Sequence, residues 1–121
     1  MGKSAVLQAI TDTERSSGHK INVDALVVGN MMSGILSKQQ HLGPLIATET
    51  GLQGVETFTV EACCGSGGGA MRVAAMMVAS GVHKTVAVLG LERMTHADKK
   101  LVTEGYDFLV VSSLVCLFTQ I

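Results

Sequence analysis

Cys63-Cys64-Gly65-Ser66-Gly67-Gly68-Gly69 is where, in these 121 residues, nucleophilic side chains meet a run of glycines. The residues before it, Val55 to Val60, read as a strand, and those after it, Ala70 to Ser80, have helical propensity. A cysteine at such a turn faces the unpaired N–H groups and positive dipole end of the following helix. That setting is expected to lower a thiol pKa from about 8.5 towards the thiolate range at neutral pH. Glycines remove side chains, so a substrate can approach the backbone closely. These are the requirements of a nucleophile elbow with backbone N–H groups ready for an oxyanion. Free cysteine is also among the most buried residue types. Cys63, expected to face the other way from Cys64, and Cys116, in an apolar tail, are read as small hydrophobes. For Cys64 the local pattern leaves both readings open.

A rival chemistry shares the same residues. Gly65 to Ala70 satisfies G-x-G-x-x-G/A after a strand, and Glu92 ends the next strand, where a ribose-binding acid is wanted. This points to a dinucleotide-binding oxidoreductase. Against it, another strand and helix precede the motif, which normally sits on the first strand of its domain. No Walker lysine follows the glycines, so a P-loop is not supported.

The elements that must position Cys64 follow from the apolar pattern. Ala5 to Ile10 reads as a short helix fading into the polar run Thr11 to Lys20. Ala25-Leu26-Val27-Val28, closed by Gly29-Asn30, is an apolar run of the kind buried on both faces of a parallel sheet. Asn30 to Gln40 reads as a loop. Pro44 suits the first turn of a helix ending near Thr50, with Gly51 and Gly54 beyond it. The helix after the glycines is apolar on almost every side from Met71 to Ala79, which predicts cover on every face. Thr85 to Leu89 reads as a third buried strand. The pattern predicts an α/β domain with a largely parallel sheet, and a helix so covered predicts two sheets around a shared helix layer.

Composition narrows the classes. Hydrophobic residues are 47% and charged residues 16%, against about 25% charged for an ordinary domain. The deficit suggests a surface covered by more protein; a small Gly- and Ala-rich domain is the plainer alternative. Net charge is −1 with 3% aromatics, which argues against nucleic acid and an anionic membrane surface. Three cysteines without a CxxC pair give no zinc pattern, and no metal is expected. A reducing intracellular compartment fits, cytoplasmic or mitochondrial/peroxisomal. Met1 to Ala9 lacks the features of a signal or transit peptide. The apolar run Phe108 to Phe118 is interrupted by Ser112 and Ser113 and is too short to span a bilayer.

Two motifs in order carry a family resemblance. Val60-Glu61-Ala62-Cys63-Cys64-Gly65-Ser66-Gly67 resembles the thiolase nucleophile motif, in which the reactive cysteine opens a C-x-S-G run. Gly90-Leu91-Glu92-Arg93-Met94-Thr95 resembles the family's G-x-E-x-M-S/T loop. Cys64 and Glu92 stand 28 positions apart, as in the family, and Val23 to Asn30 resembles its second strand. The similarity is greatest to the sterol-carrier-protein-like and archaeal acetyl-CoA acetyltransferase branch. Ketoacyl synthases share the cysteine elbow without the second loop.

The resemblance implies an α/β, thiolase-like layered fold, part of its amino-terminal half, with a mixed, mostly parallel sheet and a buried central helix. Residues 1–105 would be a partial thiolase amino-terminal domain whose first strand is missing before Ser4, and residues 106–121 a divergent apolar tail. The tail is either a replaced end or a strand of unknown partner. The implied activity is acyl transfer in lipid metabolism: Cys64 attacks a 3-ketoacyl-CoA and is acylated, and coenzyme A, a co-substrate rather than a bound cofactor, takes the acyl group. Gly67, Gly68, Gly69 and Met94 would line the substrate, and Glu92 would shape its loop. The partner is acyl-CoA, and the full-length family implies a homo-oligomer, dimer or tetramer. The family's activating His and second Cys belong to its carboxy-terminal half. His19, His41, His83, His96 and Cys116 match neither, so the chain alone is expected to turn over poorly. A non-catalytic thiolase-like subunit or fragment is the alternative from another class.

Overall fold

The computed structural model describes residues 2–94 and 114–119. In chain order the elements are α1 (Gly2–Ser17), β1 (Ala25–Gly29), α2 (Ser33–Leu36), α3 (Leu42–Thr50), β2 (Glu56–Val60), α4 (Ser66–Ala79), β3 (Thr85–Gly90) and β4 (Leu114–Thr119). They form a four-stranded sheet in the order β2-β1-β3-β4. β1 runs parallel to both β2 and β3, and β4 is antiparallel to β3, pairing Thr85 with Thr119 and Gly90 with Leu114. The apolar run in the tail therefore has a partner, β3. The mixed, mostly parallel sheet expected from the sequence is present.

The layers follow from connection geometry. The chain leaves β1 for β2 on one side, then crosses over β1 to reach β3 on the other. Right-handed crossovers in opposite directions place their helices on opposite faces. Accordingly Leu26, Val28, Ala87 and Leu89 pack with Val6 of α1 and Ile46 and Ala47 of α3. The alternate residues Ala25, Val27, Val86 and Val88 pack with Ala70 and Ala74 of α4. Period-2 alternation thus feeds two apolar faces from one continuous run. Burying one such Val or Leu is worth about 1.5–3 kcal/mol.

Three expectations change. α1 is longer than the short helix read from Ala5 to Ile10, because its polar second half remains helical on the surface while Val6 anchors the first. The loop after β1 holds one short helix, α2. The larger change concerns cover. β2 is a sheet edge, with Phe58 41% exposed. On α4, Ser66, Ala70 and Ala74 are buried, whereas Gly68, Arg72, Ala75, Met76 and Ala79 are exposed along one stripe. The described residues supply a single sheet, so one face of α4 is covered and the opposite face is open.

Candidate active site

Gly29, Val60 and Gly90 lie in one row of the sheet. The segments that leave those three strands therefore start at one level, on the carboxyl edge where open α/β sheets gather ligands. Val60 leads to Cys64, Gly29 to Asn30, and Gly90 to Glu92.

The turn after β2 is built by Ser66. Its hydroxyl donates to the carbonyl of Cys63 at 2.6 Å and accepts the N–H of Ala62 at 2.9 Å. Backbone bonds from Gly65 to Ala62 and from Ser66 to Cys63 close the same turn. Cys63 takes φ 52°, a left-handed conformation that costs a residue with a Cβ about 1–2 kcal/mol. Its N–H donates to the Glu61 carboxylate at 2.6 Å. The strain sits on the residue before the proposed nucleophile.

Glycine appears at the elbow for more than one reason. A Cβ on Gly29 would lie 2.5 Å from the carbonyl oxygen of Ser66, so this glycine lets the start of α4 rest directly on β1. Gly69 faces Val60 and Ala62, and a Cβ there would meet Val60 at 3.2 Å. Nothing lies within 4 Å of a Cβ placed on Gly67 or Gly68. Among the first four N–H groups of α4, Ser66 donates to Cys63 and Gly69 to Gly65. Among the described residues nothing accepts from Gly67 or Gly68. Two open donors in open space follow the elbow. Of the three glycines expected at the substrate, Gly67 and Gly68 border open space and Gly69 packs against the turn.

Cys63 and Cys64 are free and exposed. The sequence expectation of a lowered Cys64 pKa is reversed. The hydrogen bond to the Cys63 thiol is the largest influence and pushes the Cys64 thiol up, with desolvation and the neighbouring Cys63 charge adding to it. Its own backbone N–H opposes, more weakly. Cys63 is accordingly no buried hydrophobe: the alternation of β2 stops at Val60, and Cys63 lies exposed in a left-handed turn, close enough to influence the Cys64 thiol.

The third loop is tied to the first by Glu92. Its Oε2 accepts the N–H groups of Met31 and Met32, each at 3.1 Å, and its Oε1 accepts that of Arg93. Asn30, 6% exposed, donates to the Leu91 carbonyl at 2.6 Å and accepts from Ser33 at 2.8 Å. Glu92 is thus a structural clamp, and its oxygens are spent on backbone rather than held out for a ribose, against the dinucleotide reading. Met94 is buried at the end of the same loop. Asn30 and Ser66 carry much of this architecture and were not singled out in the sequence. The Asn that closes a buried strand and the Ser inside C-x-S-G were the available signals.

A cavity of about 230 Å³ opens between Asn30, Ser33, Leu42, Leu91 and Glu92; Cys64 is outside it. Ligand pockets usually start near 300 Å³. His83 lies at the amino edge of the sheet, where its Nε2 meets the Glu56 carboxylate at 2.8 Å. It is a five-residue strand away from the elbow, roughly 16 Å. His96 lies outside the described residues. No group of three or more His, Cys, Asp or Glu converges among the described residues.

A family model described as "Thiolase, N-terminal domain" matches residues 1–113. The chain belongs to the thiolase family. Among curated relatives, an acetyl-CoA acetyltransferase of Methanothermobacter thermautotrophicus is 47% identical over 74 residues, 61% of this chain and 19% of that protein. One from Methanocaldococcus jannaschii is 43% identical over the same extent. The matched region thus spans about a fifth of those relatives. Among solved structures, the 3-oxoacyl-(acyl carrier protein) synthase III of Pseudomonas aeruginosa aligns with TM-score 0.65 at 17% identity, over 98% of this chain and 37% of its own. The synthase III of Aquifex aeolicus gives 0.54 at 19%, over 76% and 30%. Such likenesses speak for the fold, which is the thiolase-like α/β fold expected.

Proposed function

We propose that this thiolase-family chain carries the acyl-accepting nucleophile of a thiolase-type acyltransferase, with Cys64 as that residue. The observation that carries the reading is Cys64 exposed on the carboxyl edge, followed by the two open N–H donors of Gly67 and Gly68. The names of the curated relatives support acyl-CoA as the substrate class. In the degradative direction the Cys64 sulfur attacks the 3-keto carbon of a 3-ketoacyl-CoA. The bond between carbons 2 and 3 breaks, and the departing enolate takes a proton to become acetyl-CoA. The thiol of coenzyme A then attacks the acyl-cysteine, forms the shortened acyl-CoA and returns the proton to Cys64. Gly67 and Gly68 donate to the oxyanion formed in each step. Coenzyme A is a co-substrate, and a reducing compartment is proposed to keep both cysteines as thiols.

The Cys64 thiol, held above its ordinary value by Cys63, is mostly protonated at neutral pH and needs a base. His83 is at the opposite sheet edge. Among the described residues no base is hydrogen-bonded to Cys64, which withholds an acid–base contribution of about 10²–10⁴-fold, so the chain alone should acylate slowly and turn over poorly. Incubation with acetoacetyl-CoA followed by peptide mass spectrometry tests the reading. The expected result is an acetyl group on Cys64, absent from Cys64→Ser, with little thiolysis of acetoacetyl-CoA. Acetyl on Cys63 instead, or brisk turnover, would overturn it. The open stripe of α4 favours a second reading, a non-catalytic subunit that docks on other chains. It would be supported by a Cys64 that alkylates readily with iodoacetamide and never acetylates.

A further inference from the structure

We propose that Cys63 and Cys64 together form a dithiol site that chelates trivalent organic arsenicals. Adjacent residues of a continuing strand would throw their side chains to opposite faces. Here β2 has ended at Val60, and Cys63 adopts φ 52° in a turn locked by the Ser66 hydroxyl. Both thiols are exposed on adjacent residues of that turn, close enough for Cys63 to raise the pKa of Cys64. The site therefore presents two neighbouring, exposed sulfurs on a turn held by hydrogen bonds.

A direct disulfide suits this pair badly. Disulfides ask for Cα atoms about 4.4–6.8 Å apart, whereas neighbours across a trans peptide are about 3.8 Å apart, and no peptide bond here is cis. An atom inserted between the sulfurs lengthens the bridge and removes that conflict. Monosubstituted trivalent arsenic fits: it is soft, favours sulfur, and needs two more bonds. An arsenoxide R–As=O reacts with the two thiols so that both S–H bonds break and two As–S bonds form. The oxygen leaves as water with both protons, and arsenic stays trivalent, so no oxidant is required. Capture occupies Cys64 and excludes acyl-CoA. The site does not depend on acyl transfer, so it stands or falls apart from the proposed function.

Titration of the full 121-residue chain with phenylarsine oxide, read by intact-mass spectrometry, tests the site. One phenylarsenic group should replace two hydrogens per chain, released by 2,3-dimercaptopropanol and retained against an equal concentration of a monothiol. Cys63→Ser and Cys64→Ser should each weaken capture by about 10²-fold or more, the margin by which two linked contacts exceed one. Cys116→Ser should leave it intact. Circular dichroism verifies each fold, and Cys63→Gly, which suits the left-handed turn, replaces Cys63→Ser if that variant unfolds. Undiminished capture without Cys63, or loss of capture in a folded Cys116→Ser chain, would overturn the proposal. So would a pair that closes to a disulfide in air and no longer takes the arsenical.

Discussion

At the scale of single residues, Cys63 decides the character of Cys64. It carries the strained backbone of the turn and supplies the thiol that raises its neighbour's pKa. Cys63→Gly removes both at once. The variant should alkylate at Cys64 faster than the parent at neutral pH, because more of the sulfur is thiolate. Relief of about 1–2 kcal/mol of left-handed strain should offset the added freedom of the unfolded chain, leaving the melting temperature nearly unchanged. Iodoacetamide kinetics and a thermal melt measure the two effects. An unchanged alkylation rate would count against the thiol–thiol contact. This exposed, left-handed placement of Cys63 was illegible in the sequence because strand alternation was carried past the end of the strand. Cys64 itself was legible, since its place in C-x-S-G needs no knowledge of side-chain direction.

The junctions between elements are set by contacts distant in sequence. α4 begins at Ser66 rather than Ala70, in spite of three glycines with poor helix propensity, because its first turn rests on Gly29. Gly29→Ala should therefore push α4 off β1 and cost about 3 kcal/mol, far more than Gly67→Ala, whose Cβ would meet nothing within 4 Å. Chemical denaturation compares the two, and equal stability would contradict the close approach. At the other end of the sheet, the Asp24 carboxylate accepts the N–H groups of Lys84 and Thr85 at 2.8 and 2.9 Å and joins β1 to the start of β3. The bond from Thr85 holds its pKa below 3.8, against some desolvation, with Lys84 and His83 adding to the lowering. A lowered folded value means the stabilisation is full above the unfolded pKa and is lost as pH falls through the folded one. Asp24→Asn should be less stable than the parent at pH 7, with the gap closing only in acid below about 3.8. Strand positions such as β1 and β3 were readable from apolar runs. The clamp from Glu92 to Met31 and Met32 was not, because nothing local links residues about 60 positions apart.

For the molecule as a whole, the low charge content is matched by what the surface shows. Phe58 and Met76 are 41% and 53% exposed, on the edge strand and on the open stripe of α4. The sequence anticipated full cover for this helix from its composition, whereas the described residues cover one face and leave Met76 exposed. Exposed apolar area of this kind favours association. The isolated chain should elute from size-exclusion chromatography as a mixture of sizes that shifts with concentration, and Met76→Lys should move it towards the monomer. A sharp, concentration-independent monomer peak for the parent would refute this.

β1 is flanked by paired strands and sealed above and below by helices, and every one of its residues is buried. In the language of amide exchange, its N–H groups have no local opening through which to meet solvent deuterium, so they exchange only when the whole domain comes apart. The slowest amides in the protein therefore lie one strand away from the elbow. The rail beneath the turn that bears Cys64 therefore keeps its register.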